Sequence, residues 1–248
     1  NSIGTAFSVN AAIKKGVETF VLISTDKAVR PTNVMGASKR IAEIMVQSRF
    51  STQNGSQKMQ VITTRFGNVL GSNGSVVNLF EKQIKEGGPI TVTHPEINRF
   101  FMSIHEAVEL VIQASSMAKG GEIFLLDMGE SVKILDLAHN MIRLAGFRPL
   151  DPATGEGDIA IEFSGLRPGE KLYEELLIGD NPLPTAHPRI LRAQEERFDW
   201  ATLGALLTRL QAAALANDPD GMRALLHTLV PGYQPDQPDP PKVAAQVA

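Results

Sequence analysis

Apolar residues recur at two different periods along this chain, and the alternation between those periods predicts its elements. From Asn1 to Lys15, Ile3, Phe7, Val9, Ala12 and Ile13 fall at mixed helical spacing, and Gly16 follows as a C-terminal cap would. Thr19-Phe20-Val21-Leu22-Ile23 is then a short continuous apolar run, the pattern of a parallel strand buried on both faces. A helix is predicted over Asn33–Phe50, with Ile41, Ile44 and Met45 on one face, and a second strand over Gln60–Phe66. The glycine-rich loop Gly67–Gly74 leads into a helix over Ser75–Glu86. Beyond it the pattern predicts strands at Pro89–Thr93, Glu122–Met128 and Ile159–Phe163. Helices are predicted at Ile104–Ala118, Lys133–Ala145, Glu170–Leu177, Trp200–Ala216 and Gly221–Leu229.

Helices alternating with buried strands predict an open, mostly parallel sheet, and such sheets bind ligands at the carboxyl ends of their strands. Ser24-Thr25-Asp26-Lys27 and the Gly67–Gly74 loop both fall there. From Pro231 onward the chain is rich in Pro, Asp and Gln, and a disordered tail is expected over 231–248. Trp200, Leu203, Leu206, Leu207 and Leu210 form an apolar stripe that suits a core or a subunit contact better than a cofactor site.

Composition narrows the chemistry. A net charge of -3 over 248 residues, with no basic stripe, points away from nucleic acid. Cysteine is absent, which removes disulfides, thiolate metal sites and a thiol nucleophile. The five histidines, at 94, 105, 139, 187 and 227, have no metal-ligand spacing, and structural or surface roles are expected for all of them. No apolar run approaches the roughly 20 residues of a membrane-spanning helix.

Ser24-Thr25-Asp26-Lys27 places hydroxyls, a carboxyl and an amine at the mouth of the expected sheet. A carboxylic acid beside a lysine can donate and accept protons if their surroundings tune them. On local sequence alone, a solvated loop pair is the simpler account. The three glycines between Gly67 and Gly74 need be no more than a flexible turn. No GxGxxG or GxxGxxG fingerprint occurs anywhere in the chain.

Five ordered blocks change this balance. The run Leu22–Arg40, which contains Ser24-Thr25-Asp26-Lys27 and Met35-Gly36-Ala37-Ser38-Lys39, resembles the signature of the CapD-like polysaccharide-biosynthesis dehydratases. Arg65–Val76, Asn98–Ser103, Gly120–Phe124 and Leu166–Glu175 follow in the family's order, so the resemblance covers residues 1 to about 180. These are UDP-N-acetylglucosamine 4,6-dehydratases and close relatives, of the extended short-chain dehydrogenase type. The resemblance implies NAD or NADP as cofactor and a UDP-sugar as substrate. It implies hydride removal at C4, loss of water across C5 and C6, and hydride return to C6, for polysaccharide or glycan biosynthesis. Lys27 would then be the C5 base, Asp26 the acid for the departing hydroxyl, and Thr25 a hydrogen-bonding group near O4. Ser24 and Lys39 would lie on the cofactor, with Lys39 on its ribose.

Short-chain dehydrogenases usually carry tyrosine four residues before that lysine; here the position is Met35, whose thioether cannot accept the C4 hydroxyl proton. Methionine there resembles the large, membrane-associated members of the family, in which Asp26 or Lys27 handles that proton too. By position, Asn68 and the amides of Gly74, Ser75 and Val76 are expected at the nucleotide diphosphate, where a helix N-terminus favours an anion. Arg99 and Arg167 are expected on phosphate, where a forked guanidinium suits the geometry. Glu170 is expected on the ribose hydroxyls.

The expected architecture is therefore α/β. A partial Rossmann-like NAD(P)-binding domain is interleaved with a smaller nucleotide-sugar subdomain over 1–180, and a helical extension covers 181–230. The chain opens at Asn1 without methionine, and its first strands and phosphate-binding turn are expected in a preceding segment, with apolar spans before that. The parent is expected at the cytoplasmic face of the inner membrane, as a homo-oligomer, and these residues alone are expected to bind the dinucleotide weakly. Two other classes remain open at this point: a 4-epimerase or oxidoreductase on the same fold, and a non-catalytic nucleotide-sugar-binding protein.

Overall fold

A computed structural model describes residues 1–51, 59–175, 182–195 and 198–235. Helix α1 (Ser2–Lys14) leads into strand β1 (Thr19–Thr25), helix α2 (Val34–Ser51) and strand β2 (Gln60–Phe66). Two-residue strand β3 (Asn68–Val69), helix α3 (Val76–Lys85) and strands β4 (Ile90–Val92), β5 (Asn98–Arg99) and β6 (Phe101–Met102) follow. Helix α4 (Ile104–Met117) precedes β7 (Glu122–Leu126), β8 (Val132–Lys133), helix α5 (Ile134–Leu144) and β9 (Ile161–Phe163). The chain then adds β10 (Leu183–Pro184), β11 (Ile190–Ala193) and helices α6 (Trp200–Leu215) and α7 (Pro219–Leu229).

The main sheet runs β1-β2-β7-β11-β10; the first three strands are parallel and the last two antiparallel. Successive side chains leave a strand on opposite faces, so each parallel strand feeds two cores. Phe20, Leu22 and Val61 meet Val9 of α1 and Val46 of α2 on one face. Val21, Ile62 and Phe124 meet Ala107, Leu110 and Ala114 of α4 on the other. Burial on both faces makes β7 read as an unbroken apolar run, whereas β1, expected to be buried likewise, is the end strand of the sheet among the described residues and only partly buried, with Ile23 exposed.

A second, smaller unit hangs from the carboxyl end of this sheet. Its core joins Phe80 and Ile84 of α3, Ile90 and Val92 of β4, and Ile134, Ala138 and Ile142 of α5. The ladders β4–β9 and β5–β8 close it. The parallel sheet with a small appended α/β unit is the architecture expected from the alternating pattern.

Three stretches differ from expectation. The region from 182 onward is not purely helical, because β10 and β11 complete the main sheet before α6 begins. Glu170–Glu175 is irregular rather than helical, and 176–177 lie outside the described residues. Gly169 enters the segment in the left-handed region (φ 71°), and its side chains are tied to other elements instead of to one another. The tail does not begin at Pro231: Tyr233 is buried against Ile41, Leu226 and Leu229, and the Gln234 amide donates to the Pro31 carbonyl at 3.0 Å. The rest of the expected tail, 236–248, lies outside the described residues. The stripe on α6 packs as a core stripe should, with Leu203 wholly buried against α2 and α7. No helix among the described residues is long and apolar enough to cross a membrane.

A four-member charge cluster sits at the end of β2. Arg65, fully buried, donates to Glu43 of α2 at 2.8 and 2.5 Å and to Glu195 at 2.5 and 2.9 Å. Arg40 reaches the same two carboxylates, at 2.9 and 2.6 Å. Burial alone would raise the Glu43 carboxyl, but the two guanidiniums and their hydrogen bonds outweigh it and hold the group below the ordinary carboxylate range. Two cations and two anions leave the cluster neutral, which is what makes a dry site tolerable.

Two predictions follow from this packing. Glu43→Gln strands part of the Arg65 charge, and urea unfolding should report a loss of about 3–5 kcal/mol. Gly36, in the first turn of α2, lies so close to the Lys27 carbonyl oxygen that any side chain would collide with it. Gly36→Ala should therefore cost about 1–3 kcal/mol by the same measurement, as over-packing does.

Candidate active site

The carboxyl end of β1 turns at once into a short 3-10 helix, Asp26–Ala28. Thr25 makes that turn: its Oγ1 accepts from the Lys27 amide at 3.4 Å and donates to Asp26 Oδ1 at 2.7 Å. Asp26 is fully buried, and Lys27 projects past it with its side chain about one quarter exposed. Lys27 Nζ lies 3.0 Å from Asp26 Oδ1, 3.3 Å from Asn68 Oδ1 and 3.5 Å from Glu174 Oε1. An ammonium held by two carboxylates and an amide is oriented, and it has neighbours able to exchange protons with it.

Asn68 comes from β3 on the other side of the cleft. Its amide also donates to the Phe100 carbonyl at 3.1 Å, which fixes its oxygen toward Lys27. Gly67, just before it, leaves space beside the buried carboxylate: a side chain there would press on Asp26 Oδ2 at 3.1 Å. That oxygen has no hydrogen-bond partner among the described residues.

The segment 167–175 is sewn onto the 27–33 stretch. Thr32 Oγ1 and Asn33 Nδ2 donate to the Gly169 carbonyl at 2.6 and 3.0 Å, and Lys171 Nζ donates to the Val29 carbonyl at 2.7 Å. Arg30 pairs with Glu175 at 2.8 Å. Asn33 also receives the Gly36 amide at 2.8 Å, so one side chain both caps α2 and anchors the loop. These ties hold Arg167 and Glu170 opposite Lys27.

Thr25, Lys27, Asn68, Gly74, Ser75, Val76, Arg99, Arg167 and Glu170 all line one cavity of about 520 Å³. A neighbouring cavity of about 430 Å³ shares Lys27, Asn68, Arg99 and Arg167 and adds Met35 and Glu174. The volumes are those of sites that take small organic molecules. Not every expected residue faces them. Asp26 lies behind Lys27 and Thr25. Ser24 is buried and lines neither cavity. Lys39 Nζ rests on the Ile23 carbonyl at 3.2 Å, at the outer edge of β1, one helical turn from the half-exposed Met35.

The two arginines differ. Arg99 is already engaged, 3.2 Å from Glu170, 3.6 Å from Glu174 and donating to the carbonyls of Asn98 and Leu172. Arg167 is exposed, and its guanidinium pairs with no acidic side chain among the described residues; its backbone alone is used, the amide donating to Glu170 Oε2 at 3.1 Å and the carbonyl accepting from the Glu170 amide at 2.9 Å. Glu170 accepts from Thr93 and Arg99 as well. Ser75 caps α3, whose first turn opens on the same cavity as Arg167. An anion is the natural guest between a helix N-terminus and an unpaired guanidinium.

Glu174 was not singled out from the sequence. It is buried and touches both Lys27 and Arg99. Burial pushes its carboxyl above the ordinary carboxylate range against the opposing pull of Lys27, while Asp26 adds to the rise and Arg99 and Lys171 oppose it. Its spacing from Glu170, one helical turn, was the one sequence signal available. Among the described residues, no group of His, Asp and Glu has a metal-binding arrangement.

Comparison with known proteins shows the family. The chain is 57% identical over 177 residues to the capsular polysaccharide biosynthesis protein CapD of Staphylococcus aureus, covering 71% of this chain and 28% of that one. It is 36% identical over 181 residues to a UDP-glucose 4-epimerase of Rickettsia canadensis, covering 73% of this chain and 50% of that one. The chain thus spans half or less of these two relatives. Among solved structures it is similar to Pen from Bacillus thuringiensis, with a TM-score of 0.68 at 35% identity over 83% of this chain and 67% of that one. The sequence profile of one family, described as polysaccharide biosynthesis protein, matches residues 1–195, and this chain belongs to that family.

Proposed function

We propose that this chain forms the substrate-handling part of a nucleotide-sugar 4,6-dehydratase acting on UDP-N-acetylglucosamine with NAD or NADP. The observation that carries the reading is Lys27: an amine at the floor of a sugar-sized cavity, backed by a buried carboxylic acid and faced by an unpaired arginine. The similarity to a capsular polysaccharide protein supports it.

The residues present fit one end of the cofactor. Met35 offers an apolar, partly exposed side chain beside Lys39, which suits a flat ring and its ribose, whereas the chain has no glycine-rich phosphate turn. Met35 and Lys39 would hold the nicotinamide end, and that group would supply the hydride chemistry, as acceptor for C4 and donor for C6. The protein's own groups do the rest. Arg167 and the first turn of α3 hold the diphosphate. Lys27 takes the C5 proton once C4 is a ketone. Asp26 acts from behind: the Thr25 hydroxyl, which lines the cavity and is bonded to Asp26 Oδ1, relays the proton that the C6 hydroxyl needs to leave. Because a thioether stands at position 35, the C4 hydroxyl proton falls to this same pair.

The likeness to a UDP-glucose 4-epimerase favours a second reading, inversion at C4 with no loss of water. Solvent deuterium separates the two: dehydration places it at C5 of a 6-deoxy product, and epimerisation leaves C5 untouched.

In the longest natural chain that contains this sequence, Lys27→Ala should lower kcat by about 10²–10⁴, the span of general acid–base effects. Asp26→Asn should do the same, and turnover unchanged in both variants would remove the assignment. Arg167→Ala should raise KM roughly tenfold with kcat nearly kept, as loss of one charged hydrogen bond does. Steady-state kinetics with the UDP-sugar checks both.

A further inference from the structure

A lysine that enters the cycle as an ammonium has no lone pair with which to take a proton from carbon. Its own proton must go somewhere first. Three acceptors face Lys27 Nζ. Asn68 is an amide and cannot hold a proton. Asp26, once C4 is a ketone, carries the C4 hydroxyl proton taken through Thr25 and meant for the C6 hydroxyl. The third is Glu174, whose Oε1 lies 3.5 Å away and whose side chain is only 3% exposed. Its other oxygen, Oε2, is buried with no hydrogen-bond partner among the described residues, so it can gain a hydrogen without losing a bond.

We propose that Glu174 is the proton store for Lys27: it takes the ammonium proton across their contact and holds it while the free amine abstracts the C5 proton. The inference rests on the dehydratase reading. Glu174 acts through Lys27 and is a positioning residue, not one that touches the sugar.

The step balances. An N–H bond of Lys27 breaks and an O–H bond of Glu174 forms. The Lys27 lone pair then takes the C5 proton, and the C–H electron pair becomes the C5–C6 double bond. The C6–O bond breaks, and the oxygen departs as water with the proton relayed from Asp26 through Thr25. Asp26 has meanwhile passed on the C4 hydroxyl proton that it took through Thr25 at the outset. Lys27 returns its proton, after exchange with solvent, to C5 as C6 is reduced, and Glu174 then hands the stored proton back, so all three groups end as they began.

The charged groups facing Glu174 are Asp26 and Lys27 from the turn after β1, Arg99 from β5, and Lys171 from its own loop. Burial is the largest influence and favours the neutral acid, which suits a group that must hold a proton while C5 is deprotonated. The same contacts give the loop a second consequence: Glu174 joins the base to Arg99.

The test is the pH–rate profile of the full natural chain with its UDP-sugar. Glu174→Gln should lose tenfold or more in kcat near neutral pH, change KM less than twofold, and recover as pH rises, because Lys27 must then release its proton to water. Glu174→Asp should restore part of the neutral-pH rate. A Glu174→Gln profile that overlays the wild type, that is depressed equally at every pH, or that changes in KM alone overturns the proposal. Should Glu174→Gln fail to fold in a thermal melt, Glu174→Asp decides: a neutral-pH rate below wild type that recovers as pH rises supports the store, and a profile that overlays the wild type or is depressed equally at every pH overturns it. A wild type that yields no 6-deoxy-4-keto product sinks the dehydratase reading and this inference together, whereas an active wild type with an indifferent Glu174→Gln sinks the store alone.

Discussion

Two arginines and two glutamates, closed on one another away from water, hold the carboxyl end of β2 in place. Each carboxylate of Glu43 and Glu195 bridges both guanidiniums, so none of the four can leave without exposing another. Such clusters add little net stability over a well-packed apolar core, because desolvation offsets most of the attraction. What this one does is positional. Arg65 is two residues from Gly67, so clamping it to α2 sets where Gly67 and Asn68 emerge relative to Asp26 and Lys27. The cleft that holds Lys27 is therefore positioned by a contact beyond its own lining.

Charge inside the cleft is largely cancelled before any ligand arrives. Lys27 and Arg99 are matched by Asp26, Glu170 and Glu174, and Lys171 is spent on a backbone carbonyl and Glu175. The attraction left over for an anion is therefore local, at Arg167 and the first turn of α3. In the proposed mechanism, proton handling and phosphate capture are separated in space, one at the floor and one at the rim. The loop that bears Arg167, Glu170 and Glu174 belongs to both.

How much of this was legible in the chain follows from how local each feature is. The strand at Thr19–Ile23 and the helix at Asn33–Phe50 declare themselves through a continuous apolar run and through helical periodicity, and the structure places both within two residues of expectation, although the strand is only partly buried. Glu170–Leu177 has helical spacing too, yet its described part is irregular. Gly169, Lys171 and Glu174 are each claimed by partners on the Val29–Asn33 turn, Lys27 or Arg99, and those claims outweigh local preference. Leu183–Pro184 and Ile190–Ala193 are too short to show a period, so their place in the sheet is a matter of pairing alone. Asp26 and Lys27 were identifiable as a pair, but their division into a buried partner and an exposed one was not. That division arises from Gly67, Asn68 and Glu174, all distant in sequence.

A single aromatic ring near the end of the chain decides where the protein can be shortened. Tyr233 fills a space between α2 and α7, and the next amide is anchored at Pro31, four residues beyond Lys27. A cut after Gln234 leaves both of these contacts in place. A cut only a few residues earlier would empty that space and free the turn carrying Arg30 and Pro31.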